Sequence, residues 1–129
     1  MSTYRISEAA ELLGVSDDTL RRWIDAGRLT SATEGGRTVV PGPALAALAV
    51  ELADAPDPRR SRAVSARNRL LGLVTKVTKD TVMAQVELIC GPYRIVSLMS
   101  SEAATELGLE PGVTAVASIK STNVVVERP

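Results

Sequence analysis

The chain has 129 residues, with 15 basic and 15 acidic side chains, 45% hydrophobic residues and only 2% aromatic ones. It has no His and a single cysteine, Cys90. This excludes an intramolecular disulfide, argues against a zinc site and removes the commonest general base. The length suits one ordinary domain or two small ones. A core of Val, Leu, Ile and Ala without Phe buries less area per side chain, which favours oligomers that bury a second surface. No run approaches the roughly 18 apolar residues of a membrane span, and no charged-then-apolar signal opens the chain. A soluble cytoplasmic protein with no membrane partner is expected. No nucleophile–base pair or paired-carboxylate spacing stands out, so the composition points to binding and not to an enzyme.

Charge is unevenly spread. Residues 1–54 carry five Arg against eight acids, net −3; residues 55–69 carry five Arg against one Asp, net +4; residues 70–129 carry five bases against six acids, net −1. A basic hinge separates two mildly acidic halves.

In chain order, the first half is predicted helical. Ser7 is expected to cap a helix running to Leu13, with Ile6, Ala9, Ala10 and Leu13 on one face and Gly14 ending it. Ser16 caps a second helix with Asp17 and Asp18 in its first turn, where acids suit the helix dipole. Leu20, Trp23 and Ile24 share its buried face, and Gly27 ends it. Residues 28–41, with β-formers around Glu-Gly-Gly, predict a short hairpin. Near Pro43 a third helix begins, with a stripe of Leu45, Leu48, Ala49 and Leu52. Residues 55–64, rich in Pro and Arg, predict a basic linker between a domain at 1–54 and one at 65–129.

The second half is predicted β. In VMAQVELIC, Val82, Ala84, Val86, Leu88 and Cys90 alternate with the remaining residues, and VTAVASIK alternates likewise from Val113 to Lys120. Leu71–Lys79, Tyr93–Met99 and Thr122–Glu127 complete five strands. A short helix from Glu102 to Leu107, capped by Ser101 and stopped by Gly108, lies between the third and fourth. The fold class expected is α+β in two domains: a mainly α winged helix-turn-helix, then a five-stranded OB-like β-barrel.

Residues 4–29, YRISEAAELLGVSDDTLRRWIDAGRL, resemble the heads of MerR-type and excisionase-like winged helix-turn-helix proteins, and the likeness runs from residue 3 to about 53. It implies that the second helix enters the DNA major groove with Asp18, Thr19, Arg21 and Arg22 nearest the duplex, and that Arg37 and Thr38 in the wing reach phosphates. Trp23, on the Leu20/Ile24 side, is expected in the core. With one Arg in the wing and a net acidic head, a single head offers three or four Arg to phosphates. Useful affinity then needs several heads on one duplex, or help from Arg59, Arg60 and Arg62.

The cluster SARNRLLG, at 65–72, has a counterpart in ASIKST, at 117–122. Ser65, Arg67 and Asn68 bring a hydroxyl, a guanidinium and an amide; Lys120, Ser121 and Thr122 bring an ammonium and two hydroxyls. Such a donor-rich set with two positive charges suits a tetrahedral dianion. These segments, with DTVMA at 80–84 and LGLEPG at 107–112, closely resemble the Mop domain of molbindins, a subclass of the TOBE family. The resemblance implies OB-like barrels that bind molybdate or tungstate, assembled as a hexameric trimer of dimers with oxyanions between subunits. It implies one site type from Ser65, Arg67 and Asn68 of one chain with Lys120 and Ser121 of a neighbour. A second type would use backbone groups around Thr81, Val82, Met83 and Ala84. Together the halves suggest an oxyanion-responsive DNA-binding regulator. The alternative is a storage oligomer whose helical head is an assembly or partner module.

Overall fold

A computed structural model describes residues 2–53 and 68–129. The linker expected at 55–64, with Ser65 and Arg67, lies outside the described residues. The chain divides into two compact units, Met1–Ala55 and Pro56–Pro129.

The first unit runs β1 (Thr3–Arg5), α1 (Ile6–Leu13), α2 (Asp17–Asp25), β2 (Ala32–Glu34), β3 (Arg37–Pro41) and α3 (Gly42–Leu52). The two helices and the hairpin follow the sequence pattern. Gly14 closes α1 at φ 69°, in the left-handed region that glycine enters without steric cost. Ser16 Oγ accepts from the Thr19 amide at 3.1 Å and caps α2. The hairpin turns on Gly35 and Gly36, both at positive φ, between the paired residues Glu34 and Arg37. A two-residue turn of that kind matches the strand twist.

Two features depart from expectation. β1 was not foreseen; it pairs antiparallel with β3, Thr3 opposite Pro41 and Arg5 opposite Val39. As a result α1 starts at Ile6, and Ser7 falls inside its first turn. Arg5, still extended as the end of β1, holds the cap position, and its amide donates to Glu8 Oε1 at 3.2 Å.

Ala9, Ala10, Leu20, Leu29, Val40, Leu45 and Leu48 form the core, with Trp23 and Ile24 packed against it. Trp23 is thus a core residue, as its helical phase requires. The Arg28 guanidinium lies 5.2 Å from its ring centroid in cation–π geometry.

The second unit contains β4 (Asn68–Lys79), β5 (Met83–Cys90), β6 (Tyr93–Ser100), α4 (Ser101–Glu106), β7 (Thr114–Ile119) and a 3-10 turn at Ser121–Asn123. The strands form one antiparallel sheet in the order β6-β5-β4-β7. The long β4 serves two neighbours. Asn68 to Leu73 pair with β7, and Leu73 to Lys79 pair with β5, with a register shift between Val74 and Lys76. A bulge of this kind bends its strand, and the sheet curls. Its edges β6 and β7 both line an apolar trough of about 450 Å³, which Val86, Leu88, Ile95, Met99, Ala115 and Ile119 help to form. The alternation predicted for β5 holds for Ala84, Val86, Leu88 and Cys90, which are buried, but Val82, expected in the same set, precedes the strand and is 67% exposed.

The five-stranded barrel is corrected to four strands in a curled sheet. Thr122–Glu127, expected as the fifth, holds only part of the 3-10 turn and then runs without regular structure. Val125 and Val126 are 90% and 87% exposed. The valines favour a strand, but a strand persists only where another hydrogen-bonds to it, and among the described residues this segment has no strand partner. The α4 cap also shifts by one residue. Ser100 Oγ accepts from the Ala103 amide at 3.1 Å. Ser101 Oγ instead donates to the carbonyls of Asp80 and Met83, at 2.7 and 2.9 Å, and so ties α4 to the β4–β5 turn.

Val74, Val86, Leu88 and Cys90 are the buried core of this unit. With about 1.5–3 kcal/mol for each fully buried aliphatic side chain, so small a core is sensitive to single atoms. Gly72 is the tightest place. A Cβ there would stand 2.5 Å from Cys90 Sγ and 2.9 Å from the Ile89 carbonyl oxygen. Gly72→Ala is therefore expected to destabilise the β unit by about 1–3 kcal/mol, read by circular dichroism in denaturant. Trp23, the chain's one tryptophan, reports the head, and its fluorescence midpoint is expected to stay put. Adding Cys90→Ala should restore only part of the loss, because the backbone carbonyl remains.

Candidate functional site

Pairing of β4 with β7 sets Asn68 opposite Ile119. The half-buried Asn68 donates through Nδ2 to the Ile119 carbonyl at 3.1 Å. Lys120 follows Ile119 in the opposite phase and is exposed, and Ser121 opens the 3-10 turn, closed by Asn123 N–H donating to the Lys120 carbonyl at 2.9 Å. Three predicted residues, Asn68, Lys120 and Ser121, therefore lie at the same end of the sheet, with Lys120 in the opposite phase to Ile119 and to its partner Asn68. Their ammonium, hydroxyl and amide donors suit a dianion chemically. Ser65 and Arg67 lie outside the described residues. Sequence reasoning passed over the next pair in the ladder, Arg69 opposite Ser118, where Arg69 Nη1 reaches Ser118 Oγ at 3.5 Å.

The second predicted set sits in the turn between β4 and β5. Asp80, not singled out from the sequence, governs this turn. Its Oδ1 accepts from the amides of Val82 and Met83 at 2.8 and 2.7 Å. Ala84 is in the ladder, opposite Lys79 on β4 and Met99 on β6. Two of the amides that a bound anion would use are thus already held by a fixed carboxylate. The Met83 amide first, then that of Val82, holds the Asp80 carboxyl below its ordinary 3.8. The only signal in the sequence was Asp two residues before Val82, the spacing of an Asx turn.

In the head, Arg21 of α2 and Arg37 and Thr38 of β3 line one exposed depression of about 340 Å³, together with Arg5, Ser7 and Asp17, which the sequence reading did not select. Asp18 and Arg22 are also exposed on α2. Thr19 is committed locally: its Oγ1 accepts from Ser16 Oγ at 2.9 Å and from Arg22 Nη2 at 3.2 Å. Arg5 gave no signal because a three-residue strand shows no period.

A family model described as "TOBE domain" matches residues 64–126, and one described as "Helix-turn-helix domain" matches residues 3–49. Molybdenum-pterin-binding protein 1 of Clostridium pasteurianum is 41% identical over 64 residues, 49% of this chain and 94% of that protein. The chain belongs to the TOBE/molbindin family. Molybdenum-pterin-binding protein MopA of Rhodobacter capsulatus is 38% identical over 104 residues, 77% of this chain but 37% of that longer protein. That alignment is longer than the TOBE segment and so extends into the helical head. Among solved structures, a molybdate binding protein from Sporomusa ovata is 29% identical and covers 50% of this chain and 97% of its own, at a TM-score of 0.49.

Asp80 gives the TOBE unit a pH dependence of known sign. Its carboxyl has a lower pKa folded than unfolded, so its stabilising contribution is complete above about 3.8 and is lost as pH falls through the lower folded value. In an NMR titration the Val82 and Met83 amide shifts are expected to move with an apparent pKa below 3.8, and Asp80→Asn should abolish that titration. A midpoint above 3.8 would show that the carboxylate does not hold these amides.

Proposed function

We propose that this chain is a DNA-binding transcriptional regulator that binds molybdate or tungstate, with oxyanion sites between copies coupled to the oligomer state or to the arrangement of the heads. One observation carries the reading. Asn68, Lys120 and Ser121 stand at one end of the TOBE sheet, in the same chain as a helix-turn-helix whose Arg21 and wing residue Arg37 line one exposed depression. The C. pasteurianum and R. capsulatus relatives are named for binding molybdenum-pterin, which supports a molybdenum ligand and a binding role in place of catalysis.

The oxyanion is assigned to Ser65, Arg67 and Asn68 of one copy with Lys120 and Ser121 of a neighbouring copy. The Thr81–Ala84 turn is the poorer host, because a dianion there meets the Asp80 carboxylate on two of its amides. The exposed apolar surface of the unit supports a homo-oligomer, for which the molbindin resemblance suggests a trimer of dimers. Leu71 and Leu98 are 70% and 69% exposed, and Leu73, Ile89, Val96 and Val116 are exposed with them. A monomer rarely leaves so many large side chains in water. No helix among the described residues is long and apolar enough to cross a membrane. Oxyanion sites shared between copies would make assembly and ligand interdependent, and assembly places several heads on one duplex.

Two measurements test this. Calorimetry with molybdate and with tungstate is expected to show saturable binding. Lys120→Ala should weaken it about 10- to 100-fold, the value of one charged hydrogen bond to a dianion. A mobility-shift assay with and without molybdate is expected to give different DNA affinities. Anion binding with no DNA binding even at low salt would replace the regulator by the storage oligomer.

A further inference from the structure

The depression in the head has a composition that base reading does not require. Guanidinium groups from three different elements line it: Arg5 at the end of β1, Arg21 in the middle of α2 and Arg37 at the start of β3. Ile6, Ser7 and Thr38 complete its wall, and Asp17 is the one acid in it. Nearby acids are turned to other work. Glu8 accepts from the Arg5 amide, and Glu34 Oε2 accepts from Thr3 Oγ1 at 3.2 Å, although both line the adjoining hollow with Arg5 and Arg37. Among the described residues the only ion pair joins Arg94 and Glu87, in the other unit. Glu8 and Glu34 keep their charges in the adjoining hollow, but among the described residues no carboxylate forms an ion pair with Arg5, Arg21 or Arg37, so the three guanidiniums can take an anion. Guanidinium forks with hydroxyl donors are the set that holds a tetrahedral oxyanion.

From this we infer that Arg5, Arg21 and Arg37 clamp a single phosphodiester of the DNA backbone, with Ser7 and Thr38 donating to its oxygens. Arg5 is thereby a DNA-contacting residue. The clamp rests on the DNA-binding reading above and deepens it. A β-strand end, a helix and the tip of the wing are poorly placed to reach one base edge together, but they can surround one phosphate. Contacts of that kind set register on the duplex and carry no sequence information. The clamp fixes where α2 enters the groove, and it leaves base discrimination to Asp18 and Arg22, which lie outside the depression.

The test uses the full chain on a duplex selected from a random library, with affinity measured across a salt series. Arg5→Gln is expected to reduce the slope of log K against log salt by about 0.9, equivalent to about eightfold weaker binding at 0.1 M salt. The ratio of affinities for the selected and a scrambled duplex should be unchanged, and Arg5→Lys, which keeps the charge, should restore the slope. Arg37→Gln supplies an independent variant with the same expected signature. An unchanged slope in Arg5→Gln beside a wild type that binds DNA overturns the clamp alone. So does loss of the selected-to-scrambled ratio, because Arg5 would then read bases. A wild type that binds no duplex at low salt overturns the DNA reading and the clamp together. Free oxyanion could draw on the same chemistry, so inorganic phosphate is titrated calorimetrically into wild type and Arg5→Gln. Heat that depends on Arg5, with no change in the DNA salt slope, would assign the depression to a free anion and end the phosphodiester assignment.

Discussion

The antiparallel pairing of β4 with β7 is the constraint on which the oxyanion reading depends. It carries Asn68 to Ile119, residues 51 apart in sequence, and the Asn68 side chain seals the junction by donating to the Ile119 carbonyl. Backbone ladders position residues to a fraction of an ångström, because a one-residue slip would send every side chain to the opposite face. Here a slip would turn Ile119 to solvent and Lys120 toward the trough. Register therefore puts Asn68 and Ile119 on one face at this end of the sheet, and Lys120, one residue on, in the opposite phase. The site is only as precise as this ladder, and the bulge between Val74 and Lys76 lets one strand serve both this ladder and the one with β5.

The same economy explains why the β unit points to other copies. With no Phe in the chain and four small side chains as its buried core, the sheet has little to hide from water in isolation. Apolar residues remain on both of its faces and along its C-terminal valines. A sheet buried on one face shows a clean alternation of apolar and polar positions. In β4 the run Leu70, Leu71, Leu73 and Val74 breaks that alternation, and it is the pattern of a strand covered on both sides. Burial that one chain cannot supply is available only from association, which is why a ligand held between copies and the oligomer itself would depend on each other.

Local chemistry was legible in the sequence; pairing was not. Gly14, Ser16 and the Gly35-Gly36 turn act through their own backbone and hydrogen bonds, and period two marked β5 and β7 because one face of each is buried. β1 escaped notice because three residues show no period and its existence depends on β3, more than 30 residues on. Ser101 was taken for the cap of α4 in place of Ser100, since adjacent serines are equivalent until Ser101 is drawn to the β4–β5 turn. Thr122–Glu127 has the composition of a strand, but composition supplies no partner. The candidate sites divide in the same way: Lys120, Arg21 and Arg37 were visible as cations on exposed phases, whereas Arg5 and Asp80 became visible only through what the fold sets beside them.

Net charge misleads in the head for a related reason. Residues 1–54 are acidic by three units, which taken as a uniform sphere opposes DNA. Several of the acids, however, are held at helix termini or in hydrogen bonds across the small sheet, where they keep their charge but, among the described residues, form no ion pair with the arginines. Asp17 and Asp18 lie in the first turn of α2, where the helix dipole favours a negative charge. Glu8 caps α1 through the Arg5 amide, and Glu34 accepts from Thr3 across the small sheet. Arg5, Arg21 and Arg37 are left to converge. At an ionic strength of 0.15 M, charges more than about 8 Å apart in solvent are largely screened from each other. A phosphate in the depression would therefore respond to the charges nearest it, three arginines and Asp17, more than to the summed charge of the domain. An acidic head can engage a polyanion when its carboxylates hold the fold and its arginines are gathered in one place.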